Sequence, residues 1–102
     1  MEKITLNGKE YEMKPLTFLS MYQLGEMGFD IMDADQMTQK PTKFVAVTVA
    51  YLTKNTIEKA CDIIDKSIES EEITFDELFV KLLKWVTESD FFKQQQAKKK
   101  VK

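Results

Sequence analysis

The chain opens on strict alternation of apolar and polar positions. Ile4 and Leu6 fall on one side of an extended segment, Asn7-Gly8 follows, and Tyr11 and Met13 resume the alternation with charged residues between them. Asn-Gly between two alternating runs is a strong hairpin signal, because a type I′ turn needs positive φ at both central residues. The pattern therefore predicts a two-stranded β-hairpin over residues 3–13. Such a ribbon is marginal in water by itself. Ile4, Leu6, Tyr11 and Met13 are thus expected to lie on the helices that follow, and Pro15 ends the segment.

From Thr17 the period changes. Thr17 is placed to cap a helix that runs to about Gly28, a residue suited to the left-handed position after a helix end. Phe18, Met21, Tyr22 and Gly25 make one stripe on it, and Met21, Leu24 and Met27 an adjacent one. Phe29-Asp30-Ile31-Met32 leads into a polar link from Asp33 to Thr42, broken by Pro41.

Residues 43–53 read two ways. Val45, Val47, Val49 and Tyr51 alternate like a strand, whereas Phe44, Val47, Thr48 and Tyr51 share a helical face with Val45, Val49 and Leu52 beside it. Beta-branching favours the strand; the interleaved alanines and helical neighbours favour the helix, which is the reading taken. Asn55-Thr56-Ile57-Glu58 has the form of a capping box, and Ile57, Ala60, Cys61, Ile64 and Ile68 follow at helical spacing. The last helix carries the strongest start signal. Thr74 is its cap with Glu77 three residues on, and Ile73 and Leu78 are spaced for a hydrophobic staple. Leu78, Phe79, Leu82, Leu83 and Val86 then form a broad stripe with Trp85 beside it.

These elements predict a mainly α fold: a small helical domain of about four helices preceded by the N-terminal hairpin. Residues 1–92 are expected to form the single domain and residues 93–102 a disordered, basic Gln/Lys-rich tail. Its 102 residues are enough for one core, burying roughly 65% of the unfolded chain's surface. A lone cysteine, Cys61, allows no intramolecular disulfide, fits a reducing compartment, and is expected on a core-facing stripe. No basic start with an apolar run opens the chain, and no stretch approaches the ~20 apolar residues of a membrane span. A cytoplasmic protein is expected.

Net charge is −2, yet the last ten residues hold five of the fifteen lysines and no acid. The preceding 92 residues carry ten lysines against seventeen acids, a net charge of −7. Arginine is absent. Its planar fork is the usual reader of guanine edges, so an acidic body without it argues against sequence-specific nucleic-acid recognition, although an A-rich genome also favours lysine over arginine.

Catalytic chemistry finds few candidates. The chain has no histidine, and its three glycines make no phosphate-cradling loop or nucleophile elbow. A calcium loop starting at Asp33 gains Asp35 but then meets Met37 at a ligand position, Thr38 where glycine is needed and Phe44 where the closing glutamate belongs. No enzyme activity, cofactor, metal or small-molecule substrate is expected. Binding is better served. Met13, Met21 and Met27 suit gaps in a small core, whereas Met32 and Met37 in the polar link are better placed for a contact surface. Phe91-Phe92, at the edge of the charged tail, point about 100° apart on a helix, so one can be buried while the other is exposed.

The order of these features resembles a known family. Ile4-Thr5-Leu6-Asn7-Gly8-Lys9-Glu10-Tyr11, Pro15-Leu16-Thr17-Phe18 and Leu24-Gly25-Glu26-Met27-Gly28-Phe29-Asp30 resemble the start of tail assembly chaperones of long-tailed bacteriophages. Ile73-Thr74-Phe75-Asp76-Glu77-Leu78 and Glu88-Ser89-Asp90-Phe91-Phe92-Lys93 are similar to that family's closing helix and its Ser-x-Phe-Phe ending. The likeness spans about residues 3–95 and lies in the ordered combination, not in any one piece.

The resemblance implies a small helical protein that coats the phage tape measure protein in the host cytoplasm, keeps it soluble while tail-tube subunits polymerise, and is absent from the mature virion. It also implies self-association, or a longer frameshifted form of the chain whose slippery site would encode Lys98-Lys99-Lys100. Phe18, Tyr22, Met32, Met37, Phe91 and Phe92 are the expected partner-binding residues. Two rival expectations stand beside it: a small regulatory RNA- or DNA-binding protein acting through its lysine tail, and a structural tail or connector component.

Overall fold

The structure, a computed structural model, describes residues 2–28 and 39–88. Strands β1 (Lys3–Leu6) and β2 (Lys9–Glu12) pair antiparallel, with Ile4 opposite Tyr11 and Leu6 opposite Lys9. Asn7 and Gly8 take φ of 51° and 78°, the left-handed pair that a type I′ turn requires. The backbone amide of Met13 donates to the Glu2 carbonyl at 2.9 Å and extends the ribbon by one rung. Ile4, Leu6 and Met13 are buried and Tyr11 is half-buried against the core, as the alternation predicts.

Four helices follow among the described residues: α1 (Phe18–Glu26), α2 (Pro41–Thr53), α3 (Ile57–Glu69) and α4 (Phe75–Thr87). The ambiguous stretch is helix α2. It packs against α1, α3, α4 and β2, and every residue from Phe44 to Ala50 is buried. A helix apolar all round belongs at the centre of a small protein. The valines that alternate along the sequence are all inside because the helix is covered on all sides. Thr48, the polar residue in this stretch, donates its hydroxyl to the Phe44 carbonyl at 2.6 Å, so its burial leaves nothing unpaired. Pro41, taken as a break in the polar link, instead opens α2 at a first-turn position where its missing N–H costs nothing. Lys54 closes the helix in the left-handed conformation, and the Asn55 amide reaches back to the Ala50 carbonyl at 3.0 Å.

Two local expectations are corrected, both on α3. On α1, Phe18 and Tyr22, expected on a contact surface, are exposed, and Ser20 and Leu24 are the buried pair. Thr17 and Ser20 form a reciprocal capping box, and Ser20 Oγ then lies 2.7 Å from the Tyr51 hydroxyl, which fixes the rotation of the helix. The cap of α3 is Thr56, accepting from the Lys59 amide at 3.2 Å, and not Asn55 with Glu58. Its inner face is Ala60, Ile64 and Ser67, so Cys61 is exposed, not core, and Ile57 and Ile68 lie at the margin.

Ser67 sets that rotation. Its Oγ donates to the Ile63 carbonyl and accepts the Asn7 amide at 2.8 Å, while Glu72 Oε2 accepts the Gly8 amide at 3.0 Å. The hairpin turn is thereby docked on the end of α3. The thiol of Cys61 is expected to react with a disulfide reagent in the native protein. Cys61→Ser should change unfolding free energy by no more than about 0.5 kcal/mol, whereas a core cysteine would resist the reagent until unfolding.

Helix α4 matches its sequence signals. Thr74 and Glu77 exchange both capping-box bonds at 3.1 Å, Ile73 packs against the core, and Leu78, Leu82, Trp85 and Val86 are buried with Phe79 and Leu83 beside them. The Trp85 indole N–H donates to the Lys14 carbonyl at 2.7 Å, tying the end of α4 to the exit of the hairpin. Met21 and Met27 are partly buried against the same core, as gap-fillers would be. The polar link with Met32 and Met37, and the segment with Phe91, Phe92 and the lysine tail, lie outside the described residues.

Candidate protein-binding surface

A capped helix with Ser20 and Leu24 turned inward must turn other residues outward. On α1 these are Phe18, Leu19 and Tyr22, 71%, 61% and 60% exposed. Scattered apolar residues are ordinary on a protein surface. Three within one and a half turns, on a helix whose single charge is Glu26, make a continuous apolar face. Of the six residues expected from sequence, the structure brings together Phe18 and Tyr22, one helical turn apart. Met32, Met37, Phe91 and Phe92 lie outside the described residues. Leu19 was missed. Its exposure follows from the tertiary contact of Ser20 Oγ with the Tyr51 hydroxyl, which turns the neighbouring position 19 away from the core and has no local signal in the sequence.

The same helix runs into a groove. Gln23 and Glu26 of α1, with Met27 just beyond its end, form one wall, Glu12, Lys14 and Pro15 at the hairpin exit another, and Tyr51, Leu52, Lys54 and Asn55 at the end of α2 a third. Trp85 closes the groove from α4, and its volume is about 760 Å³. The apolar lining comes from Pro15, Met27, Ala50, Tyr51, Leu52 and Trp85, and the charges Glu12, Lys14, Glu26 and Lys54 balance in sign. Tyr22 and Glu26 are four residues apart on α1, so the apolar face and this groove meet along one helix. Sequence periodicity alone did not indicate the groove, because its walls come from four separated segments.

A second depression, about 590 Å³, lies between β1 and the start of α4 and is lined by Lys3, Ile4, Thr5, Glu72, Ile73, Asp76, Glu77, Val80 and Lys81. Two of its three acids serve structural ends: Glu72 holds the Gly8 amide and Glu77 completes the α4 cap. Among the described residues no group of histidine, cysteine, aspartate or glutamate is arranged to hold a metal ion, and no helix is long and apolar enough to cross a membrane. Every buried side-chain nitrogen and oxygen in the described residues has a hydrogen-bond partner. Comparison with protein-family models, with curated proteins and with solved structures found no match to this chain.

Proposed function

We propose that this chain is a non-catalytic holding protein, a tail assembly chaperone of a long-tailed bacteriophage that binds the tape measure protein in the host cytoplasm and is absent from the finished virion. The observation that supports it is the exposed face Phe18-Leu19-Tyr22 on α1. Beside a core of hairpin and helices, Phe18, Leu19 and Tyr22 are accessible on one side of α1, an apolar area of the kind that protein partners use. The partner that such a face fits is an apolar stripe on a helix. A tape measure protein is a long, partly apolar helical chain that aggregates when bare, and it offers such stripes many times over. Contacts of this size are individually weak, and repetition along one chain supplies total affinity while leaving each contact displaceable by tube subunits. The ordered sequence resemblance over residues 3–95 gives the reading its specific form.

The decisive experiment is co-expression with the tape measure protein of the same genome, followed by size-exclusion chromatography with light scattering. Co-elution of several copies per tape measure protein is the expected result, with soluble tape measure protein lost when this chain is omitted. A tape measure protein that stays soluble without it and elutes apart from it would refute the proposal. Recovery of this chain in purified virions would instead favour a structural tail component.

A further inference from the structure

The register of the hairpin decides where the backbone of β1 points. The Met13 amide bonds to the Glu2 carbonyl, and in an antiparallel ladder bonded pairs alternate with unbonded ones. Ile4–Tyr11 and Leu6–Lys9 are then the next bonded pairs, so the backbone N–H and C=O of Lys3 and Thr5 point away from β2. Among the described residues nothing bonds to these outward groups. Lys3, Ile4 and Thr5 border the 590 Å³ depression beside α4, where Ile73 and Val80 supply apolar lining.

Helix α4 runs alongside β1 in the opposite sense. Glu72 Oε2, just before the helix, holds the Gly8 amide at 3.0 Å, and Lys84 Nζ, near its end, lies 3.8 Å from Glu2 Oε1. The depression is therefore acidic toward the hairpin turn, with Glu72, Asp76 and Glu77, and basic toward the start of β1, with Lys3 and Lys81. Asp76 and Lys81 form no ion pair with another described residue.

We propose that the free edge of β1 takes up an extended segment of a partner protein as a third strand lying beside α4. An unpaired row of backbone donors and acceptors fits an extended chain and not a helix, whose own groups are bonded internally. From Glu2 to Gly8 the strand and turn would span about 20 Å if extended, the length of six or seven residues. In the antiparallel sense, the more stable one, the segment starts beside Glu72 and Asp76 and ends beside Lys3 and Lys81. Basic residues belong at its start and acidic residues at its end. Its side chains opposite Leu6 and Ile4 turn toward the helices and are apolar, covering Ile73 and Val80, the latter 59% exposed. Strand β1 of a second copy fits less well. In the same pairing it brings the acid Glu2 toward the acidic end and offers no acid to the basic one. This edge and the α1 face belong to different elements, so failure of peptide binding here leaves the reading of α1 untouched.

The probe is a synthetic peptide with blocked ends, composed in order of two lysines, valine, threonine, valine and two glutamates. It is added at up to about 1 mM, the range of a weak single contact, to the full-length nitrogen-labelled protein observed by NMR. The expected result is a shift of the Lys3 and Thr5 amides with slowed hydrogen exchange, while the Lys9 and Tyr11 amides, already bonded within the hairpin, change little. A peptide with its lysines and glutamates exchanged should bind at least about tenfold more weakly. Thr5→Pro removes an N–H that the hairpin does not use, so it should abolish binding and preserve the helical circular dichroism. No shift at Lys3 and Thr5, or equal binding of the two peptides, overturns the proposal. Slow exchange of these amides in the protein alone overturns it as well. Protection that rises with concentration assigns the edge to a second copy, and protection independent of concentration assigns it to the chain itself.

Discussion

Phe44→Ala is expected to cost about 3–5 kcal/mol of stability, the usual range for truncating a fully enclosed phenylalanine. Phe44 is 0% exposed at the start of α2 and packs edge-on against Phe79 of α4, with ring centroids 5.7 Å apart at 77°. The loss combines transfer of the ring to water, a cavity that the surrounding helices fill only in part, and the aromatic contact. Total stability for a chain of this length is about 5–15 kcal/mol, so the variant should be marginal at 37 °C. Urea unfolding followed by circular dichroism measures the change, with Val80→Ala as the surface comparison. Val80 lies on α4 but is 59% exposed, and its truncation should shift stability by no more than about 0.5 kcal/mol. Equal costs at the two sites would contradict the placement of α2 as the enclosed centre.

The second large effect is functional. Replacing Phe18, Leu19 and Tyr22 together with glutamine should leave the fold within about 1 kcal/mol of the parent, because all three are exposed and glutamine is a good helix former. Thr17 and Ser20 are untouched, so the capping box and the Ser20–Tyr51 contact persist. Partner capture should collapse. Three apolar contacts at about 1–2 kcal/mol each correspond to a loss of roughly 10²–10⁴-fold in affinity per site. Repetition along a tape measure would multiply that loss, because avidity depends on each weak contact. The readout is soluble tape measure protein recovered on co-expression, with thermal melting run in parallel. A variant that melts normally and still holds its partner would move the binding surface off α1.

Much of the fold is local enough to be legible in the chain. Asn7-Gly8 has a single economical use between alternating runs, and both residues adopt it. Thr74 and Glu77 satisfy each other across one turn, so the start of α4 needs no tertiary help to be recognised. Leu78, Leu82 and Val86 repeat at helical spacing along a helix that buries one face. Composition carried the rest of the outline: one core, no disulfide framework, and no histidine to do acid–base chemistry. The exposed apolar face was half legible: Phe18 and Tyr22 were expected at the surface and are exposed, while Leu19 and the groove were not foreseen.

What the sequence left open depends on neighbours distant along the chain. The valines of α2 alternate because a helix enclosed on every side has no polar face to reveal its period, and only the packing of α1, α3, α4 and β2 around it settles the choice. The rotation of α1 turns on one hydrogen bond between Ser20 and Tyr51, residues thirty-one positions apart. That bond holds a serine inward, with Phe18 and Tyr22 outside. Likewise Ser67 is inside α3 and Cys61 outside because the hairpin turn brings the Asn7 amide to Ser67, sixty residues away. Local propensity determined the hairpin, α1, α3 and α4, whereas α2 needed its neighbours. The pairing of buried polar groups decided which face of each element looks inward, and with it which apolar residues remain on the surface for a partner.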